Sequence, residues 1–458
     1  MRWRGFCCEL SACSLRTNGW SRRIPVALRT FRRPLTSRGS RVCPAMFTVC
    51  RHSMSRAKRL WVAPMALVVF TLVHVPNSLS APAAKLGPSE ILGHISQFGA
   101  TRMTFLVTGS EQALAAARAS SDDHVGTATS LDYIGAVAVY LPFSTASRLS
   151  RRADVNQVWY IDRELAPVYV RVLQGLERLK NEQQGTPFIA NVSLGPPGSV
   201  MPLASHPEEP MNAATKQVAD AGGIITVAIG NYYDGSNPGV VNPWCEPLWV
   251  ICVGAASADA TSIADFSARG EASRPRSWPT LVADGVDVVG PWPAHLAKSE
   301  DRRRRDASTP AFRDGIPKDQ WDLYTVESGT SQANAQVSRA AAHILAFLFE
   351  QIESRHLKSG DPIISLTIPP DQFARVQAAS PRLAGDVTGH SAAGIEIAYS
   401  LVEPWKLVRQ LLIDTSIAIP GTSPAAAGAG FVSPKGIEAQ FPTKAVTHPR
   451  VEAIKVLP

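Results

Sequence analysis

The sequence predicts an α/β protein built on a doubly wound parallel sheet, with a smaller α/β domain before it. Three observations carry this expectation. Short apolar runs at Ile189–Leu194, Ile224–Ile229 and Trp249–Val253 are partly β-branched and bounded by Gly or Pro, the pattern of strands buried on both faces. Helical stretches at Gln174–Glu182 and Asn212–Ala221 alternate with them and so imply βαβ units. Upstream, Met103–Val107, Glu111–Arg118, Gly135–Leu141, Ser144–Arg151 and Val155–Ile161 read as strand, helix, strand, helix, strand.

Ligands of doubly wound sheets bind at the carboxyl ends of the strands. Gly195, Asn231 and Ser331 all fall at such ends or at helix starts. Gly329-Thr330-Ser331-Gln332-Ala333 sets a Ser directly before a long apolar helix, Val337 to Phe349. A hydroxyl there stands among free backbone N–H groups at the positive end of the helix dipole, which favours an oxyanion forming beside it. The plain alternative is an N-cap, since Thr and Ser are ordinary capping residues. For Asn231, followed by Tyr232-Tyr-Asp-Gly-Ser-Asn-Pro238, the plain alternative is a turn residue.

The order of several motifs resembles the subtilisin-like serine peptidases, the subtilases, over roughly residues 168 to 440. Ile189-Ala-Asn-Val-Ser-Leu-Gly195 is similar to the family's strand ending in Ser-Leu-Gly, and Gly223–Asn231 to the buried strand ending in Gly-Asn. Leu248–Ala256 with Ala264-Asp-Phe-Ser267, then Ala283–Val289, then Gly-Thr-Ser331, follow in family order, and Val408–Thr415 with Gly428–Val432 resemble its last helix and closing turn. The resemblance implies a subtilisin-like fold and peptide-bond hydrolysis through an acyl-serine. Ser331 would be the nucleophile and Asn231 an oxyanion donor. Ser193, Leu194 and Gly195 would pair with the substrate backbone as an added strand. The sequence departs from the family at Ala335, where Pro is usual, and at Arg339, where a small Gly is usual.

A larger departure is an absence. The family's Asp-(Thr/Ser)-Gly and His-Gly-Thr-His motifs do not occur, and too few residues separate Asp162 from Ile189 to hold their strands and helix. The sheet is therefore expected to be truncated at its N-terminal strands. A Ser hydroxyl is a poor nucleophile without a base, and in a subtilisin loss of the His alone lowers the rate about 10⁶-fold. His390, in Gly389-His-Ser-Ala-Ala-Gly394 with Asp386 nearby, is a weak candidate for a substitute base. His343 lies about three turns along the nucleophile helix, too far from Ser331.

The upstream β-α-β-α-β unit is similar to the subtilase propeptide; its plain alternative is any small ferredoxin-like module. Before it, Ser55-Arg-Ala-Lys-Arg59, the apolar run Leu60–Val75 and Pro76–Ala84 have the three regions of a secretory signal, and the run is short for a membrane span. The expected organisation is a basic extension at 1–53, a signal at 54–84, a propeptide-like domain at 85–165, and a subtilase-like domain at 166–445 with insertions at about 294–326 and 351–402. Export to the periplasm or outside the cell follows, with membrane contact during export alone.

Charge must be read by region. The whole chain is +8, but residues 1–84 hold 14 of the 46 Lys and Arg and one of the 38 acids, which leaves 32 against 37 beyond. Nothing in the core therefore suggests nucleic-acid binding. The run Arg302–Arg305 reads as a solvated loop, with partner docking or a protease-sensitive tip as alternatives. Cys245 and Cys252 alone follow the leader, so disulfides are not the main stabiliser, though in an exported protein these two can pair. No metal or other cofactor is expected. The functions in view are a subtilase-family serine peptidase, degenerate for want of its Asp and His, or alternatively a non-catalytic peptide-binding or protein-binding pseudopeptidase, or an inhibitor of a partner protease.

Overall fold

The computed structural model describes residues 47–51, 66–70, 102–121, 128–161, 166–182, 187–195, 198–199, 209–293, 295–443 and 450–452. Residues 81–85, where leader cleavage is expected, lie outside them.

Among the described residues, an eight-stranded sheet forms the centre. Its strands in chain order are β1 (Phe47–Arg51), β2 (Ala66–Phe70), β3 (Phe188–Val192), β4 (Gly223–Ala228), β5 (Val250–Ala256), β6 (Leu281–Asp284), β7 (Phe431–Val432) and β8 (Arg450–Glu452). In space the order is β7-β6-β5-β4-β3-β2-β1-β8. Pairing is parallel from β7 to β2 and antiparallel beyond it. Every residue of β3, β4 and β5 is buried, as their unbroken apolar runs require.

Alternate residues of these strands face opposite helix layers. Helix α1 (Ala166–Glu182) precedes β3, and α2 (Pro210–Asp220) joins β3 to β4. A Cβ added at Gly223 of β4 would meet Val218 of α2 at 2.6 Å, so the helix sits that close on this face. On the other face Thr226 of β4 bonds Ser338 of α3 (Thr330–Arg355) through their hydroxyls at 2.7 Å. Helix α4 (Pro404–Asp414) also packs against α3 and β4. The α2 start is specified locally: the Glu209 carboxylate accepts from Asn212 N at 2.8 Å and Pro210 opens the first turn. Tyr169 donates to the same carboxylate at 2.6 Å, which ties α1 to α2.

The edge beyond β3 is where sequence and structure diverge. Residues 66–70, inside the apolar run read as an export signal, lie parallel to β3 in the register Ala66↔Phe188 to Phe70↔Val192. An apolar, β-branched stretch satisfies a buried parallel strand as well as it satisfies a signal, and composition alone does not separate the two. The sheet is therefore continued on the side where truncation was expected, by strands from ahead of the small domain.

That domain is a four-stranded antiparallel sheet in which Arg102–Gly109 and Ala136–Pro142 are central, flanked by Val155–Ile161 and Thr129–Leu131. Helices Glu111–Ser120 and Phe143–Ser150 cover one face. The fourth short strand was not read from the sequence, because three residues show no period. The other face is continuous with the main core, where Leu106, Leu131 and Trp159 join Leu173 and Leu176 of α1. Tyr133 fixes the contact: its hydroxyl donates to Leu173 O at 2.8 Å and its carbonyl accepts from Gln217 of α2.

The described residues of both segments expected as insertions are folded. Arg302–Arg305 belong to a helix, Glu300–Ser308, not to a solvated loop. Ser299 caps it by accepting from Arg302 N at 3.2 Å, and Glu300 and Asp301 favour its positive end. The second insertion forms an antiparallel sheet of Pro362–Ile368, Gly394–Ser400 and Asp386–Ser391 with helix Pro370–Ala379 against it. Cys245 and Cys252 are joined as a disulfide. No helix among the described residues is long and apolar enough to cross a membrane.

Candidate functional site

Parallel strands bring their carboxyl ends to one side, and the loops after β3, β4 and β6 meet the start of α3 there. Gly329 N donates to Gly285 O, just after β6, at 2.8 Å, which holds the turn that launches α3. Thr330 and Ser331 are that helix's first two residues. Ser331 is buried but for 8% of its surface.

Asn231 is fixed by the residue beside the serine. Its side-chain oxygen accepts from Thr330 N at 2.8 Å and from Thr330 Oγ1 at 2.9 Å, and Thr330 Oγ1 in turn accepts from Gly230 N at 3.2 Å. With the oxygen doubly occupied, the amide's NH₂ is left as the outward donor. A Cβ at Gly329 would stand 3.2 Å from Asn231 Nδ2, 2.6 Å from Gln332 Oε1 and 3.7 Å from Ser331 N, so glycine keeps space open beside two N–H donors. Two such donors converging at a helix start are the elements of an oxyanion site.

The Ser193–Gly195 segment flanks the same point. Ser193 Oγ donates to Ser331 O at 3.4 Å and is backed by a buried amide cluster, in which Asn334 of α3 donates to Asn191 Oδ1 and to Ser193 Oγ at 3.3 Å. Leu194 O accepts from Asn242 Nδ2 at 3.0 Å, and Gly195 O accepts from the Tyr232 hydroxyl at 2.9 Å. Gly195 has φ of 156°, and a Cβ there would lie 2.3 Å from the Asn242 amide, so glycine is required by both backbone and space. Burial pushes the Tyr232 phenol up to about 12, so it is a hydrogen-bond donor at neutral pH.

Among the described residues no histidine or carboxylate hydrogen-bonds Ser331 Oγ. His343 points elsewhere, its Nε2 being 2.7 Å from Phe441 O. His390 is exposed on Asp386–Ser391, the outer strand of the second insertion's sheet, opposite Ile395. That sheet is anchored to the far end of α3, where Arg355 Nη1 donates to Ile363 O at 2.8 Å. No hydrogen bond joins His390 to Ser331 in the structure. Among the described residues no cluster of metal-ligating side chains occurs.

Sequence reading named Ser331, Asn231 and Ser193–Gly195, and the fold sets them around one point. It missed Thr330, Tyr232, Asn242 and Asn334. Thr330 was legible only as a capping type. Asn242 and Tyr232 lie in turn-rich stretches, where nothing in the sequence says which carbonyl a side chain will reach.

Comparison with known proteins gives a family match over part of the chain. The subtilase family model matches residues 169–359. No curated protein matches the chain. Among solved structures, a lanthipeptide protease is 16% identical over 59% of this chain and 66% of its own, with a TM-score of 0.37. Fervidolysin from Fervidobacterium pennivorans, a keratinolytic enzyme related to subtilisin, is 17% identical over 59% and 29%, with a TM-score of 0.32. MycP1 with its N-terminal propeptide removed is 17% identical over 60% and 67%, with a TM-score of 0.32. The chain spans between 29% and 67% of the length of these proteins. Residues 169–359, which run from the helix before β3 through Asn231 and Ser331 to the end of α3, are a match to the subtilase family.

Proposed function

We propose that this chain is a subtilase-family serine peptidase homologue that receives extended peptide or protein chains beside Ser331 and, acting alone, does not cleave them. The observation that carries this reading is the pairing of a built oxyanion arrangement, Asn231 locked by Thr330, with a Ser331 hydroxyl that has no basic partner among the described residues. Backbone pairing needs no general base, so binding outlives catalysis. In the family's reaction Ser331 Oγ would attack the carbonyl carbon, its proton passing to a base, and the resulting oxyanion would take N–H groups from Asn231 and the start of α3. Among the described residues no proton acceptor is hydrogen-bonded to the Ser331 hydroxyl.

The small domain is read as propeptide-like and acting in cis. Its support is the shared core and the Tyr133 contacts that seat it on α1 and α2 of its own chain. Export is read from the leader pattern and from the Cys245–Cys252 bond, which persists in oxidising compartments.

Fluorophosphonate labelling tests the reading. Purified protein is expected to show no labelling at Ser331, while a fluorescent extended peptide still binds. Labelling that disappears in Ser331→Ala overturns it, and would place a base outside the residues described here.

A further inference from the structure

Arg409 of α4 is a buried cation without a counter-ion among the described residues. It is 4% exposed, and burial lowers its pKa to about 10, so it is charged at neutral pH. Its Nη1 donates to Ser380 Oγ at 3.0 Å, its Nε has no partner, and no carboxylate lies within 4.0 Å of it. Arg382 nearby shows the usual solution, a two-pronged pair with Asp414 at 2.8 and 3.0 Å. An unpaired buried guanidinium is costly, and the fold retains one.

Arg409 lines a pocket of about 130 Å³ at the amino ends of β5 and β6, away from the Ser331 end of the sheet. One water needs about 10–15 Å³ by the same measure, so the pocket has room for a small organic molecule. Thr280 and Ser380 line it too, and their hydroxyls act as acceptors in two bonds, with their hydrogens to spare: Thr280 Oγ1 accepts from Cys252 N at 3.0 Å, and Ser380 Oγ accepts from Arg409. Glu246, which has an interaction of its own, also lines the pocket.

We propose that this pocket is a binding site for a small carboxylate carrying one negative charge, held by the Arg409 guanidinium and the Ser380 and Thr280 hydroxyls. A planar carboxylate matches the fork of guanidinium N–H groups, and it supplies the counter-charge that Arg409 lacks among the described residues. The carboxylate is carried either by a free small acid or by the C-terminal residue of a peptide chain. The site is independent of the Ser331 reading and stands whether or not that serine reacts.

Thermal unfolding of the full chain tests it, with ionic strength held constant by chloride. Acetate stands for the free acid, N-acetylglycine for a chain terminus, and N-acetylglycinamide is the uncharged control. At about tenfold above Kd, one or both acids are expected to raise Tm by about 2 °C, and the amide is not. A response to acetate identifies a free acid; a response to N-acetylglycine alone identifies a chain end. Arg409→Met is expected to fold, since it removes an unpaired buried charge, and to lose the response. Saturation-transfer NMR of both acids on the wild-type protein gives a readout that needs no variant. Absence of transfer from both acids, or an equal Tm response in Arg409→Met, overturns the proposal.

Discussion

The Tyr232 hydroxyl donates to the carbonyl oxygen of Gly195 across 2.9 Å, so the residue after Asn231 closes onto the segment where a peptide would pair. A bound strand would compete for that carbonyl, or share it, and the ring narrows the space between the two loops. Tyr232→Phe removes the donor and keeps the ring. A net hydrogen bond is worth about 0.5–1.5 kcal/mol, so peptide affinity is expected to rise by about two- to tenfold in fluorescence anisotropy. An unchanged or weaker affinity would show that Tyr232 does not guard this edge.

Thr330 acts on the site through Asn231. Its N–H and hydroxyl fix the amide oxygen, and the hydroxyl also accepts from Gly230 N. Thr330→Val keeps shape and removes both hydroxyl bonds, leaving the Gly230 N–H unpaired. We expect a loss of about 1–3 kcal/mol in denaturant unfolding. Thr330→Ser, which restores the hydroxyl, should recover most of it; failure to recover would mean that the methyl group, not the hydrogen bonds, sets the stability.

How far the sequence disclosed this arrangement depends on the range of the signal. β3, β4 and β5 were legible because burial on both faces leaves unbroken apolar runs, and Ser331 because a small-residue turn before an apolar helix is a local pattern. The helix Glu300–Ser308 was not, since four consecutive arginines hide any apolar stripe and its partner Glu327 lies over twenty residues away. The strand at 66–70 was hidden for the opposite reason: an apolar run satisfies two incompatible roles, and only its partner β3 distinguishes them.

Those two roles are mutually exclusive, because a leader that is removed cannot remain in the sheet. With Met54, the basic residues 55–59 and the small residues after Val75 in the order of a secretory signal, we expect the mature chain to begin between about Ala81 and Lys85. N-terminal sequencing decides it: a mature protein retaining 66–70 would assign that stretch to the sheet and withdraw export by this leader. An oxidising destination also predicts that the Cys245–Cys252 bond is formed in the isolated protein. Closing so short a loop contributes about 2 kcal/mol in the chain-entropy account, so reductant should lower stability by about that much.

The last prediction concerns the support of the nucleophile turn. Lys298 and Asp306 form an ion pair at 2.8 Å with side chains 2% and 1% exposed, and Lys298 also donates to Trp321 O at 2.5 Å and to Tyr324 O. Asp306 accepts from Thr325 Oγ1 at 3.1 Å and Val326 N at 2.9 Å, and Arg302 and Arg305 of the same helix reach Glu327. The insertion thus clamps the strand Tyr324–Glu327, which runs within four residues of Ser331. Breaking one side of a buried pair leaves an uncompensated charge, so Asp306→Leu is expected to cost about 3–5 kcal/mol. Lys298→Met made together with it removes the stranded ammonium and should return part of that loss, less the carbonyl bonds to Trp321 and Tyr324. Equal destabilisation in the single and double variants would show instead that Asp306 acts through its bonds to Thr325 and Val326, with the lysine a bystander.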